Sequence, residues 1–278
     1  MPVSTLTAWR DGQTSGRRRP FVWSHSNNNP FASWALRWPT HFTGPQGVPA
    51  TPSTAVAPDS TSALAVVRSP EAADQWLAAA EVGAGNANRR LAAGLLLCDI
   101  LSVQGGLSGT TTGEQTTNLD TAALTRYTDG DGVMIGLAIY LGLGSTATTA
   151  TVRYTDNVGG ASRTTKDIVF GGSSANAQGQ MLICPPQDGD KNPVSVQGVT
   201  LAATTGTAGN FGVFLFRPLA FLSENGGTNS QREPYKNFLE AASSVSPDPD
   251  ACLVPIFFGT GGTTGTTMVG GHVTYIQG

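Results

Sequence analysis

The chain has 278 residues, of which 39% are hydrophobic and only 13% are charged, about half the usual charged share. Such a length holds one large all-β domain or two ordinary domains, and the low charge argues against a disordered tail and an ordinary cytosolic enzyme. The net charge of −3 is unevenly distributed: residues 1–58 carry five arginines against one acidic residue, a balance of +4, which leaves −7 for the rest.

Residues 1–66 show neither helical nor strand periodicity, and prolines recur along them. Because proline fixes φ and removes a hydrogen-bond donor, this composition predicts an extended N-terminal arm that ends in a linker over residues 45–63. All five tryptophans fall within the first 76 residues. An extended segment cannot bury such side chains on itself, so we expect them to bind a partner surface. The predicted partner-binding residues are Arg17, Arg18, Arg19, Trp23, Trp34 and Trp38.

The same arginines and tryptophans suit a nucleic acid, whose phosphates attract guanidinium groups and whose bases stack on indole rings. Arginine and tryptophan are also preferred anchors of protein interfaces. Because the acidic body would repel phosphate, the sequence favours a protein partner over a nucleic acid.

Residues 67–104 are predicted to form a helical pair. Ser69 suits an N-cap and Pro70 the first helical position, and the glycine-rich stretch 82–88 ends this first helix. A second helix is expected from about Asn88 to Ser102, apolar on most sides and therefore buried. Its apolar run, Leu91–Leu101, is interrupted by Asp99 and is too short to span a bilayer. No signal peptide pattern precedes it, so no membrane partner is expected.

From residue 105 onward the pattern changes to strands and turns. In "VMIGLAIYL" the residues from Val133 to Leu141 alternate between large apolar side chains and a second, closely packed set. In "TATVRYT" Ala150, Val152 and Tyr154 alternate with threonines and an arginine, and "DNVGG" provides a turn after it. We expect further strands at Gln180 to Cys184, Val194 to Ala202, Phe211 to Arg217, Leu253 to Phe258 and Val273 to Gln277. The fold class predicted is mainly β: a β-sandwich of jelly-roll type over residues 105–278, preceded by the helical pair and the arm.

Two short acidic stretches resemble the start of a calcium loop. "TDGDG" (128–132) and "QDGDK" (187–191) each place two carboxylates two residues apart. Neither continues with the regular oxygen ligands of an EF-hand, so Asp-Gly turns between strands are the favoured interpretation. We therefore predict no metal and no cofactor.

Histidine and cysteine are scarce. The histidines are His25, His41 and His272, and no G-x-S-x-G motif accompanies them, so no catalytic residues are predicted and an enzyme is disfavoured. Cys98, Cys184 and Cys252 lie far apart without a CxxC pair, which favours buried, reduced thiols from a protein assembled in a reducing cytoplasm.

Three stretches carry a resemblance to a known group of proteins. "DILSVQGGLSGTTTGEQTTNLDTAALTRYTDGDGVMIGLAIY", "VRYTDNVGG" and "VTLAATTGTAGNFGVFLFRPL" resemble segments of virion structural proteins of tailed bacteriophages. The resemblance covers about residues 95–220 and leaves out the arm and residues 221–278. It implies a virion component assembled in the host cytoplasm, of the capsid decoration or minor capsid type.

Under this hypothesis the partners are other virion proteins, above all the major capsid protein, and further copies of the chain. A homo-oligomer is expected because both faces of the strand at Val133–Leu141 are apolar, and a trimer is the favoured state. The alternative is a tail or fibre protein that binds a host surface glycan, although no long stalk repeat is present in the sequence.

Overall fold

The computed structural model describes residues 7, 10–11, 18–27, 35–37, 53–60, 62, 75–85, 93–119, 124–159, 162–173, 178–224, 235–237, 247–259 and 267–277. Its regular structure is almost entirely strand. The strands are β1 (Arg18–Asn27), β2 (Ala35–Arg37), β3 (Gln75–Gly85), β4 (Ala93–Leu107), β5 (Gln115–Thr116), β6 (Met134–Leu141), β7 (Ala147–Asp156), β8 (Arg163–Thr164), β9 (Ile168–Gly171), β10 (Gln180–Cys184), β11 (Pro193–Leu201), β12 (Asn210–Glu224), β13 (Tyr235–Asn237), β14 (Leu253–Gly259) and β15 (Thr267–Gln277).

The strands form three antiparallel groups. A four-stranded sheet has the order β1-β15-β3-β13, and a five-stranded sheet has the order β5-β11-β7-β8 with β9 also paired to β7. The third group is a closed ring in the order β10-β2-β14-β4-β12-β6, in which β10 returns to pair with β6. This order confirms a mainly β chain. It does not confirm the jelly-roll arrangement, because six of the strands form a closed ring and not one of two open sheets packed face to face.

The strands β4, β6 and β12 are buried on both faces. Along β6, Ile135, Leu137 and Ile139 pack into a core shared with the five-stranded sheet. The alternate residues Ala138 and Tyr140 belong to a second core that also contains residues of β10 and β14 and therefore fills the ring. Side chains alternate between the two faces of a strand, so both residue sets of "VMIGLAIYL" find an apolar environment.

The predicted helical pair is wrong where the structure describes it. Residues 75–85 form β3, and residues 93–107 form β4, which pairs with β12 and β14. A strand buried on both faces reads as a continuous apolar run, and periodicity alone does not separate it from a buried helix. Ser69 and Pro70, the predicted start of the first helix, lie outside the described residues.

The strands predicted beyond residue 105 are confirmed, β10 with the same bounds and the others within a few residues at most termini. In contrast to prediction, β12 continues to Glu224 and β15 begins at Thr267. Within the part of the chain that the structure describes, no helix has the length and apolar character to cross a membrane.

The strand registers give the body two different ends. The loops at residues 126–133, 156–159 and 186–193 lie at one end, which we call the charged end. At the opposite end, the described residues 108–113, 142–146, 171–173 and 202–209 carry no charged side chain, and we call it the uncharged end. The connection between β4 and β5 also contains Glu114, whose carboxylate pairs with Arg153 of β7.

Candidate functional site

The candidate functional site is the attachment of the N-terminal segment to the body, because the sequence predicts partner binding in this segment. The structure places Arg18, Arg19 and Trp23 in β1, at register positions opposite Ile276, Tyr275 and Gly271 of β15. The other three predicted residues, which are Arg17, Trp34 and Trp38, lie outside the described residues. Residues 18–27 therefore correct the expectation of an extended arm without strand pairing: they form an edge strand that pairs with β15 from Ile276 to Thr267. The sequence of β1 does not indicate a strand, because polar and apolar residues do not alternate in it.

A second part of the N-terminal segment completes the ring. The three residues of β2 pair with β14 on one side and with β10 on the other. Arg37 is the register partner of both Phe257 and Gln180, so β2 lies directly between the two strands. The expected arm thus contributes a structural strand to the body.

Residues 53–60 form a third attachment, which we call the strap. Val56 forms an isolated antiparallel bridge with Val103 of β4, with N···O distances of 3.0 and 2.9 Å in the two directions. The backbone N–H of Ala55 donates to the Asn118 side chain at 3.1 Å. The strap covers β4 beyond the point where β14 begins, so the edge of β4 stays paired. These residues belong to the predicted linker 45–63, and the structure shows them docked.

A buried ion pair of the body, Arg126–Asp99, binds the strap. The Arg126 guanidinium contacts the Asp99 carboxylate in a bidentate manner, with Nε–Oδ2 at 2.9 Å and Nη2–Oδ1 at 2.8 Å. The side chains are 5% and 0% exposed. Nη2 of Arg126 also lies 3.0 Å from the carbonyl oxygens of Pro58 in the strap and Ile100 in β4. One guanidinium therefore connects the strap to β4.

Asp99 also fixes the start of β14, because the backbone N–H of Cys252 donates to its Oδ1 at 2.9 Å. Burial raises the pKa of the Asp99 carboxyl, although the hydrogen bonds from Arg126 and Cys252 favour the charged form. Sequence reasoning missed this pair: Asp99 was visible only as an interruption of an apolar run. That interruption was the available signal, since a charge inside a buried segment requires a partner.

The two Asp-Gly stretches lie at the charged end and take part in turns and ion pairs. Asp131 lies 3.3 Å from Nη2 of Arg217, whose guanidinium stacks 4.1 Å from the centroid of the Tyr127 ring. Asp129 accepts a hydrogen bond from the backbone N–H of Asp131 at 3.2 Å, which is the geometry of an Asx turn. Gly130 and Gly132 have positive φ values of 70° and 68°, as tight turns require.

The second stretch is fixed to the five-stranded sheet. Asp188 pairs with Lys166, and Asp190 pairs with Arg163 while it accepts a hydrogen bond from the Tyr154 hydroxyl at 2.6 Å. Burial, together with the neighbouring Asp190, raises the pKa of Tyr154 to about 12. Among the described residues, no group of three or more His, Cys, Asp or Glu side chains is placed to hold a metal ion.

The three cysteines are free and buried, as predicted. Burial raises the pKa of each thiol, for Cys98 and Cys252 with a further contribution from the charge of Asp99. His25 and His272 lie in β1 and β15, and the register sets His272 beside Val22 and Glu81. His41 lies outside the described residues.

No protein-family model matches the chain, and no curated protein matches it. Among solved structures, the chain is similar to VP2 of infectious bursal disease virus in a subviral particle, with 8% identity, 94% of this chain and 80% of that chain covered, and a TM-score of 0.20. VP2 of the Gt strain of the same virus gives 6% identity, coverage of 94% and 81%, and a TM-score of 0.21. At such low TM-scores the likeness carries no argument about this chain.

Proposed function

We propose that the chain is a structural, non-catalytic component of a tailed-phage virion. It acts as a capsid-associated decoration or minor capsid protein that docks on neighbouring subunits through its N-terminal segment. The observation that carries the proposal is the way in which this segment joins the body: β1 pairs along β15, β2 lies between β14 and β10, and the strap bridges β4. The resemblance over residues 95–220 points to the same class of protein.

Strand addition suits a protein that joins other subunits. An extended segment that adds a strand to a sheet obtains its affinity from main-chain hydrogen bonds and its specificity from side chains that alternate between faces. The N-terminal segment also carries four of the five tryptophans, at positions 9, 23, 34 and 38. Each indole has ~150–250 Å² of surface, so leaving three of them in water would forgo on the order of 10 kcal/mol. Neighbouring subunits would provide the surface that covers them.

The charge distribution of the body supports close packing of copies. Loops of the uncharged end expose threonine, serine, alanine and glycine, so a partner can approach there without removing a charge from water. We expect a homo-oligomer, with a trimer favoured, next to the major capsid protein. Sedimentation equilibrium of the purified chain measures this, and a monomer at micromolar concentration would contradict the oligomer.

The location of the chain in the particle tests the proposal. Virions of the phage that encodes it should be purified, washed at high salt and separated into heads and tails, and the chain quantified by mass spectrometry in each fraction. We expect it in the head fraction at many copies per particle. Absence from washed virions would reject a structural role.

Variants of the N-terminal segment test how the chain docks. Replacing a docking tryptophan, as in Trp34→Ala or Trp38→Ala, should weaken incorporation by ~2–4 kcal/mol if that side chain is a binding hot spot. Phe221→Ala is the matched control, because Phe221 is an exposed aromatic residue of the body at 49% exposure. Equal incorporation of all three variants would show that the N-terminal tryptophans do not anchor the chain.

The second candidate, a tail or fibre protein that binds a glycan, is favoured by one observation. The exposed residues of the uncharged end include Thr110, Thr111, Thr112, Thr204 and Thr207. Recovery of the chain in the tail fraction, together with binding of host surface polysaccharide, would replace the capsid proposal with this one.

A further inference from the structure

One strand of the closed ring, β2, lies far from the other ring strands in the amino-acid sequence. Its other five strands lie between residues 93 and 259, whereas β2 comprises residues 35–37. Adjacent strands of a sheet lie about 4.8 Å apart, so the space that β2 fills between β14 and β10 is about two such spacings wide. The ring is therefore incomplete without residues 35–37.

The interior that β2 helps to close is apolar. Met181 of β10 and Val254 and Ile256 of β14 are at most 2% exposed and belong to the core that fills the ring. Without a strand between β14 and β10, part of this core would face water, at a cost of about 25 cal/mol for each Å² exposed. A strand must fill the gap, but the register does not require that it come from the same chain.

The connection between β2 and the body permits exchange. The strap fixes the chain from Ser53 onward through Val56 and through Arg126. Residues 38–52 join the strap to β2, and these 15 residues include prolines at positions 39, 45, 49 and 52. A connection of 15 residues can span up to about 50 Å, which is long enough to reach a neighbouring copy.

We propose that, in the assembled state, β1 of one copy pairs with β15 of a second copy and β2 of the first copy completes the ring of the second. The exchanged strands keep the same partners, with Arg37 between Phe257 and Gln180 of the second copy. Exchange of an identical element creates no new contact surface inside the ring, so it has little enthalpic cost, and the high local concentration of copies in a particle favours it. This inference rests on the proposed function, since it names the partner of the N-terminal segment as a second copy.

Paired cysteines distinguish exchange from closure within one chain. Register partners on antiparallel strands have Cα atoms about 4.5–5.5 Å apart, which lies within the range of a disulfide. One chain should carry Arg37→Cys and a second chain, with a different tag, should carry Gln180→Cys. The two are co-expressed, assembled into particles and oxidised; the native cysteines are buried and do not compete. We expect a covalent heterodimer that carries both tags.

Two controls make the result specific. Arg37→Cys combined with Val158→Cys should give no heterodimer, because Val158 lies in an exposed turn after β7 that does not pair with β2. Since Gln180 is buried, its replacement can impair folding, and Arg37→Cys with Phe257→Cys repeats the test on the other neighbour of β2.

The double variant Arg37→Cys/Gln180→Cys on one chain tests whether β2 closes the ring of its own chain. If assembled particles contain only monomers with both introduced thiols oxidised, the ring is closed within one chain and exchange is rejected, while the virion role stands. If the purified oligomer crosslinks between chains but the protein is absent from washed virions, exchange stands and the proposed function fails.

Discussion

The two ends of the body are built from different interactions, although the same strands run between them. At the charged end, ion pairs such as Arg163–Asp190 and Lys166–Asp188 fix the loops to the sheet. At the uncharged end, the Thr205 side chain links two other loops. The Gly144 N–H donates to its Oγ1 at 3.2 Å, and this hydroxyl lies 3.1 Å from the Gly109 carbonyl oxygen. Side-chain charge positions one set of loops, and close backbone packing positions the other.

The difference has a functional meaning under the proposed role. Loops fixed by exposed ion pairs depend on salt and pH, whereas loops fixed by buried hydrogen bonds and glycine contacts do not. An uncharged end whose loops pack closely is suited to permanent contact with other subunits. The charged end is suited to contact with solvent.

The largest effect is expected at the buried pair beside the charged end. Arg126→Met leaves the Asp99 carboxylate buried without its cationic partner and removes the hydrogen bond to the Pro58 carbonyl oxygen of the strap, so it should lower the free energy of unfolding by ~3–5 kcal/mol. Arg153→Met is the control, because its pair with Glu114 is 30% and 38% exposed and should contribute about 0–1 kcal/mol. Urea denaturation measures both, and equal losses would contradict the assigned role of burial.

At the uncharged end, the largest effect is expected from added volume. A Cβ at Gly144 would lie 1.7 Å from the carbonyl oxygen of Thr205, so Gly144→Ala must displace a backbone segment and should cost about 3 kcal/mol. A Cβ at Gly113 meets nothing within 4 Å, and Gly113→Ala should change stability by less than ~0.5 kcal/mol. Similar melting temperatures for the two variants would show that the loops at this end are not closely packed.

Removing the central hydroxyl should have a smaller effect. Thr205→Val keeps the shape of the side chain but leaves the buried N–H of Gly144 without its acceptor, at a cost of about 1–3 kcal/mol. Thr207→Val, an exposed change in the same loop, is the control. If both variants unfold at the same urea concentration, Thr205 does not organise this end.

Salt should separate the two ends without any substitution. In 1 M salt the Debye length falls to about 3 Å, so the exposed Lys166–Asp188 pair weakens and amide exchange should accelerate in residues 186–193. Exchange in residues 202–209 should stay unchanged, because those loops contain no charged side chain. Equal acceleration at both ends, measured by hydrogen exchange, would remove the distinction.

The smallest effect concerns Glu114, whose pKa the hydrogen bond from Arg153 lowers. Because the folded-state pKa lies below the ordinary value of 4.5, the pair adds stability above that pH, and the contribution is lost as the pH falls through the folded-state pKa. An NMR titration should show a low pKa for Glu114 that rises towards 4.5 in Arg153→Met. An unchanged value in the variant would mean that another group lowers it.

Much of the body could be predicted from the sequence, because strands and turns leave a pattern within short stretches of the chain. The alternation of side chains from Val133 to Leu141 indicates a strand, and the Asp-Gly pairs indicate turns, so both can be predicted from neighbouring residues alone. The errors lie where burial is two-sided or where pairing is distant. Strand β4 resembles a buried helix, and β1 has partners that follow it by more than 230 residues in the chain, so no local periodicity indicates either strand.

By itself, the sequence determined the mainly β class, the positions of most strands after residue 105 and the burial of three free thiols, because these follow from composition and side-chain alternation. Only the tertiary structure decided that Asp99 pairs with Arg126, that the strap lies on β4 and that β2 closes the ring. Each of these contacts joins residues that are far apart in the chain. Their partners are selected by the packing of the whole body, and a local pattern carries no information about that packing.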